Sequence, residues 1–148
     1  MTLDLDKIQK RLDNKLSEFS GRFMSDSKWT KLFKALSQNK GIVKRCLIKN
    51  VLDNTLREIE IPLMEKFGGT FNDKGIEDIM TGGPTSFKEI EWVEFSSHWT
   101  IDRNMRTEKL EPHKYQQDIS KIKTVADTVG QLVTVLDDDK LIIYGYRL

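Results

Sequence analysis

The spacing of apolar side chains predicts two amphipathic helices in the first part of the chain. Over residues 5–23, apolar positions recur every three or four residues, which places them on one stripe of a helix. A second stripe runs from Trp29 to Leu36, after a Ser-Asp-Ser cluster at residues 25–27 that can cap a helix start. We interpret both stripes as packing surfaces for a core, with docking onto a partner as the alternative for the first helix.

After the second helix the apolar positions alternate, which is typical of strands. Residues 44–61 are predicted to form a hairpin that turns at residues 53–54, because Asp and Asn tolerate turn conformations. A third strand is predicted over residues 87–95. The alternation within it predicts that Ile90 and Trp92 share the face that packs against the core.

The rest of the chain is predicted to combine short elements with loops. Residues 76–80 favour only a short helical turn, and residues 100–114 have no clear period and are interpreted as a loop or lid. A last helix is expected at residues 115–129, and apolar runs between residues 132 and 146 indicate a terminal hairpin. This order predicts an α+β fold with N-terminal helices, a mainly antiparallel sheet, one later helix packed on the sheet and a C-terminal hairpin.

Length and composition are those of one globular domain. The 148 residues are 38% apolar and 32% charged. We expect a single domain over residues 1–148, in which residues 1–24 form a helical extension to a core of residues 25–148. The lone Cys46 excludes an internal disulfide framework, and the first residues lack the cationic and apolar regions of a signal peptide. A cytoplasmic location without a membrane anchor is therefore expected.

The formal net charge of +1 conceals an uneven distribution along the sequence. Residues 1–50 contain 12 basic and 5 acidic side chains, whereas residues 51–100 contain 4 basic and 10 acidic ones. Residues 101–148 contain 8 of each. The sequence therefore predicts two oppositely charged surfaces, which either neutralise each other in the fold or face different partners.

The acidic segment is interleaved with aromatic residues, a combination that suits the capture of a basic protein. The carboxylates would steer the encounter and the desolvated rings would anchor the complex. No catalytic residue, metal ligand or cofactor is assigned, and Cys46 is expected to be an apolar filler of the core. The predicted partner-binding residues are Glu77, Asp78, Glu89, Glu91, Glu94 and Trp99.

Two alternatives stay open at the level of sequence. The alternating pairs Glu58/Glu60 and Glu89/Glu91 would each share a strand face, as in a metal-dependent hydrolase or a nucleic-acid-processing protein. A basic surface within residues 28–49 could instead follow a phosphate backbone. The candidate nucleic-acid-binding residues are Lys31, Lys34, Lys44, Arg45 and Lys49.

Three segments carry a resemblance to known proteins. The run GPTSFKEIEWVE at residues 83–94 resembles a strand motif in a family of small uncharacterised bacterial proteins. The segments SKWTKLF at residues 27–33 and IIYGY at residues 142–146 resemble the opening helix and last strand of that family. In size and style the chain also resembles the small acidic-faced immunity proteins of bacterial toxin systems. The family resemblance implies a bacterial one-domain protein. The acidic aromatic strand, the uneven charge and the lack of a catalytic constellation lead to the hypothesis of a cytosolic protein-binding module, an immunity protein that neutralises a basic toxin domain.

Overall fold

A computed structural model describes seven stretches of the chain, namely residues 5–19, 21–39, 41–52, 56–60, 75–76, 85–101 and 111–147. The helices in them are α1 (Leu5–Leu16), α2 (Asp26–Gln38), α3 (Ile119–Asp127) and a 3-10 helix (Phe87–Glu89). The strands in them are β1 (Gly21–Arg22), β2 (Arg45–Asn50), β3 (Leu56–Glu60), β4 (Gly75–Ile76), β5 (Thr85–Ser86), β6 (Ile90–Ser96), β7 (His98–Ile101), β8 (His113–Gln116), β9 (Thr134–Leu136), β10 (Lys140–Tyr144) and β11 (Tyr146–Arg147).

The main sheet of the described residues is antiparallel and has the strand order β3-β2-β6-β10-β9. Its pairings include the two predicted hairpins, β2–β3 and β9–β10, so the α+β prediction is confirmed. Three shorter pairs accompany it, β1–β11, β4–β5 and β7–β8. Along β2, buried Cys46 and Ile48 alternate with half-buried neighbours, which shows that one face of this sheet packs against the core.

Helices α2 and α3 cover that buried face. The start of α2 is capped by Ser25, whose Oγ accepts a hydrogen bond from the Lys28 amide at 3.1 Å, as the sequence predicts. Trp29 and Phe33 of α2 are fully buried, with ring centroids 5.7 Å apart. Ile122 of α3 belongs to the same cluster. The core therefore lies between one helical layer and one face of the sheet.

Helix α1 ends at Leu16, earlier than the predicted boundary at residue 23, and packs within the chain. Its Leu12 is buried in a second cluster with Val51 and Tyr146. The chain leaves the helix because β1 pairs with the C-terminal strand β11, a long-range contact that the apolar period does not encode. Leu16 is partly buried against the same cluster, so docking on another chain is not needed to bury these two side chains of the stripe.

Strand β6 begins at Ile90 and not at residue 87, because the preceding three residues form the 3-10 helix. Ile90 pairs with Asn50 while Trp92 pairs with Lys49, so the ladder contains a bulge at this point. The bulge inserts one residue into β6 and reverses the side on which later side chains lie. Ile90 is therefore in the core, whereas Trp92 lies half-buried on the opposite face, and the prediction that they share a face is wrong.

Two further boundaries differ from the predictions. The predicted loop of residues 100–114 has strands at both ends, because β7 and β8 form a ladder; residues 102–110 lie outside the described residues. Helix α3 consequently starts at Ile119 and not at residue 115, with Asp118 as its N-cap. Of the predicted turn at 76–80, Ile76 lies in strand β4 and the remainder is outside the described residues.

Candidate functional site

The face of the main sheet opposite α2 and α3 is the candidate partner-binding surface, and we call it the open face. Charged and apolar side chains alternate across it, and most of them are half-buried. Val135 at its edge is 47% exposed. The register places the following described residues on the open face: Arg45, Leu47 and Lys49 of β2, Trp92, Glu94 and Ser96 of β6, Lys140, Ile142 and Tyr144 of β10, and Val135 of β9.

Two of the predicted partner-binding glutamates lie on or beside the open face. Glu94 is in the middle strand, next to Leu47 on one side and Ile142 on the other. Its carboxylate is 3.9 Å from Lys140 Nζ, and that of Glu91 is 3.5 Å from Lys49 Nζ. Both separations exceed the usual 2.7–2.9 Å of a charge-assisted hydrogen bond, so these two ion pairs are loose.

Glu89 is not part of this surface. Its Oε2 accepts a hydrogen bond from the Ser86 amide at 3.2 Å and lies 3.5 Å from Asn50 Nδ2, so the side chain caps the 3-10 helix. Glu89 and Glu91 consequently do not form the strand-face pair that a hydrolytic site would need. Glu77 and Asp78 lie outside the described residues.

Trp99 lies in an aromatic stack at one end of the open face. Its ring is 5.7 Å from the Tyr115 ring across the β7–β8 ladder, and the two planes differ by 10°. The Arg45 guanidinium lies 5.6 Å from the Trp99 centroid on the sheet side, and the His113 ring is 5.8 Å from Tyr115. We call Arg45, Trp99 and Tyr115 the aromatic stack. It combines the three residue types that most often anchor protein interfaces.

Sequence reasoning missed Tyr115 because it assigned this residue to the last helix. The signal that could have found it is the alternation of His113 and Tyr115, which matches a strand paired with the segment around Trp99. Tyr115 is 38% exposed, so one ring of the stack faces solvent.

The candidate nucleic-acid-binding residues do not form one surface. Lys31 and Lys34 are exposed on α2, in the helical layer. Arg45 and Lys49 lie on the open face, on the other side of the sheet, where Lys49 pairs with Glu91. Lys44 is exposed just before β2 and lines a separate cleft. The helical layer and the sheet therefore separate Lys31 and Lys34 from Arg45 and Lys49.

The structure also bears on the proposed chemistry of the carboxylates and the thiol. Glu58 and Glu60 occupy β3 positions that pair with Leu47 and Arg45. Within the described stretches, no three His, Cys, Asp or Glu side chains are grouped so that they could hold a metal ion. Cys46 is fully buried in the core, where a bulk reagent has no access to its thiol.

An open cleft of about 620 Å³ lies beside the hairpin β7–β8. Its floor is the buried side chain of Gln117, whose Oε1 accepts from the amides of Lys44 at 2.9 Å and Arg45 at 3.3 Å. Its Nε2 donates to the carbonyls of Arg45 at 2.9 Å and Ser96 at 2.7 Å. One side-chain amide thus fastens β2 to β6 at the end of the sheet, with all its hydrogen-bonding capacity used.

Comparison with known proteins returns no match to a protein-family model, a curated protein or a solved structure. The family resemblance of residues 27–146 therefore stays a prediction. Of the helices in the described stretches, none is long and apolar enough to cross a membrane.

Proposed function

We propose that this chain is a protein-binding module whose partner docks on the open face and the aromatic stack and offers basic side chains. The observation that carries the proposal is the stack of Trp99 and Tyr115 with Arg45, at the border of a sheet face that α2 and α3 leave open. Interface hot spots are enriched in Trp, Tyr and Arg, because these side chains bury a large area and keep a polar group for specificity.

Glu94 and Glu91, on and beside the open face, can each take a basic side chain of a partner in exchange for Lys140 and Lys49. Glu94 is 17% exposed, and its contact with Lys140 at 3.9 Å is weak, because such partly solvated ion pairs contribute about 0–1 kcal/mol. A cation from a partner that excludes water would interact more strongly with this carboxylate than Lys140 does. Glu94 can therefore exchange a loose internal pair for a tighter intermolecular one.

The apolar neighbours of Glu94 supply the remaining part of the surface. Leu47 and Ile142 flank it on adjacent strands, and Val135 extends the row to the edge of the sheet. Apolar side chains around a buried charge exclude water from the contact, as in the rim that surrounds interface hot spots. The combination fits a partner that inserts a Lys or Arg side chain between apolar contacts.

The finer form of the proposal is an immunity function. On this proposal the partner is a toxin domain with a basic surface, and the chain is a cytoplasmic protein that covers the toxin's active site. The resemblance in size and style to small acidic-faced immunity proteins supports this form, as does the acidic segment of residues 51–100.

Affinity capture from the native cell, with three baits, tests the proposal. The wild-type chain and a Lys31→Gln/Lys34→Gln control, changed on the helical layer, are expected to retain the same basic protein in stoichiometric amount. A Tyr115→Ala/Glu94→Gln bait is expected to lose it, because both groups lie at the proposed surface. Absence of a stoichiometric protein, or equal capture by all three baits, would overturn the proposal.

The immunity form has its own test. Expression of the captured partner alone should stop growth, and co-expression with the wild-type chain should restore it. Restoration should fail with the Tyr115→Ala/Glu94→Gln variant. A captured partner that leaves growth unaffected would contradict the immunity form and leave the protein-binding proposal standing.

A further inference from the structure

The cleft over Gln117 is a second site, distinct from the open face. Four segments form it: the loop before β2, the junction of β6 and β7, the end of β8 and the start of α3. Its volume of about 620 Å³ lies within the range of roughly 300–1,000 Å³ typical of small-molecule pockets. The side chains used below are Lys44, Ser97, His98, Gln117, Asp118 and Lys121.

We propose that this cleft binds a small molecule that bears a phosphate group, between Lys44 and Lys121. Lys44 and Lys121 are exposed cationic side chains that come from separate elements and line the same cleft. A phosphate monoester carries close to two negative charges at neutral pH, so it gains from two ammonium groups, whereas a carboxylate needs only one. The cleft is much larger than a phosphate ion, which leaves room for the organic part of the ligand.

Besides the two lysines, a hydrogen-bonded imidazole and one carboxylate line the cleft, so its lysines outnumber its carboxylates two to one. The imidazole of His98 is held by a hydrogen bond of 2.8 Å between its Nδ1 and Ser97 Oγ. The Asp118 carboxylate already accepts from the Lys121 amide at 3.1 Å, where it caps α3. Because that cap occupies the helix terminus, the proposal rests on the two lysine side chains and not on the end of the helix.

Gln117 makes the cleft rigid before any ligand arrives. Its side chain is 7% exposed and has four hydrogen bonds to backbone groups of β2, β6 and the preceding loop. The backbone amide of Gln117 also donates a hydrogen bond to the Ser97 carbonyl, at 2.9 Å. A preorganised wall reduces the entropy that binding would otherwise cost. The backbone of Lys44 is therefore positioned by a buried polar network and not by the ligand.

The cleft and the aromatic stack lie on opposite sides of the β7–β8 hairpin. His98 pairs with Gln116 in the β7–β8 ladder, and the neighbouring pair is Trp99 with Tyr115. Successive residues of a strand point to opposite faces, so a ligand that contacts His98 touches the reverse side of the stack. The proposal does not depend on a protein partner, and its failure would leave the proposed function untouched.

Titration by two-dimensional ¹H–¹⁵N NMR tests the proposal, with inorganic phosphate and phenyl phosphate as probes at constant ionic strength. We expect saturable shifts of the amides of Ser97, His98 and Lys121, with phenyl phosphate binding at least as tightly as inorganic phosphate. Acetate at the same ionic strength is the probe for carboxylate ligands. We expect acetate to bind at least fivefold more weakly than phosphate.

A pair of double variants decides whether the cleft is responsible. Lys44→Gln/Lys121→Gln should weaken phosphate binding at least fivefold, while the matched control Lys31→Gln/Lys34→Gln, which removes two charges from α2, should change it less than twofold. Both pairs are exposed, so both variants are expected to fold. Shifts that do not saturate, acetate binding within fivefold of phosphate, a smaller loss in the cleft variant, or a larger loss in the control would each overturn the proposal.

Discussion

Replacement of Gln117 by Leu is predicted to destabilise the fold far more than the same replacement of its exposed neighbour Gln116. The Gln117 amide bonds to both the N–H and the C=O of Arg45 and to the Ser96 carbonyl, so it acts as a peptide group between β2 and β6. It also accepts from the amide of Lys44. Leu has a similar size and offers no hydrogen bond to any of these groups.

The magnitude follows from the number of partners lost. A net contribution of about 0.5–1.5 kcal/mol for each hydrogen bond gives roughly 2–6 kcal/mol for the four bonds. Leu recovers part of this by burying apolar surface, and water entering from the cleft satisfies part of the rest. We therefore expect the free energy of unfolding of Gln117→Leu to fall by about 2–4 kcal/mol.

Urea unfolding measures this directly. With a slope of about 2 kcal/mol per molar urea, the midpoint of Gln117→Leu should fall by about 1–2 M relative to the wild type. Gln116→Leu is the matched control, because Gln116 is exposed, and it should stay within about 0.5 kcal/mol of the wild type. Equal midpoints for the two variants would refute the conclusion that Gln117 joins β2 to β6 at this end of the sheet.

Two further substitutions and one titration have expected outcomes. Gly145→Ala should cost about 1–3 kcal/mol in urea unfolding, because its Cβ would collide with the Ile90 carbonyl, whereas Gly21→Ala, with open space, should be nearly neutral; equal effects would contradict this. Leu12→Ala should lower the free energy of unfolding by about 2 kcal/mol, and no change would refute the packing of α1 within the chain. The Asp137 carboxyl should titrate in NMR with a pKa below its ordinary value, because two backbone amides bond to it; the stability it contributes should be complete above the ordinary pKa and disappear as pH falls through the lowered one, and an unshifted titration would contradict this.

The elements that sequence reasoning predicted best are those whose signal is local. The helix of residues 26–38 carries its cap and its apolar stripe in one short segment, and the structure confirms both. The strand pairs β2–β3 and β9–β10 form where apolar positions alternate, and Asp137 accepts from two backbone amides in the turn between β9 and β10; the predicted turn at residues 53–54 lies outside the described residues. In each case the residues that specify the element are also the ones that form it.

The errors arise where a distant contact decides the structure. The bulge in β6 depends on how Asn50 pairs with Ile90, which lies forty positions later in the chain, and it moves Trp92 to the open face. Likewise, Tyr115 became a strand residue because it pairs with Trp99. Neither pairing can be deduced from the period of a single segment. Glu89 is the exception, because it left the strand through a local capping box with Ser86 that sequence reasoning overlooked.

The candidate site was consequently predicted only in part. Glu91, Glu94 and Trp99 are on or beside the open face as a set, but the charge pattern alone could not show that Glu91 and Glu94 pair with lysines from adjacent strands. Nothing in the sequence marked Gln117 as a structural residue. Its role is visible only once the fold brings its four hydrogen bonds to backbone groups together.

The most direct test of the central claim is the dissociation constant of the captured partner for four forms of the chain, measured by isothermal titration calorimetry. We predict that Tyr115→Ala weakens binding about thirtyfold, which corresponds to a hot spot of about 2 kcal/mol, and that Glu94→Gln weakens it at least fivefold. The Lys31→Gln/Lys34→Gln control on the opposite layer should bind like the wild type. Wild-type affinity for both open-face variants, or an equal loss in the control, would contradict the account.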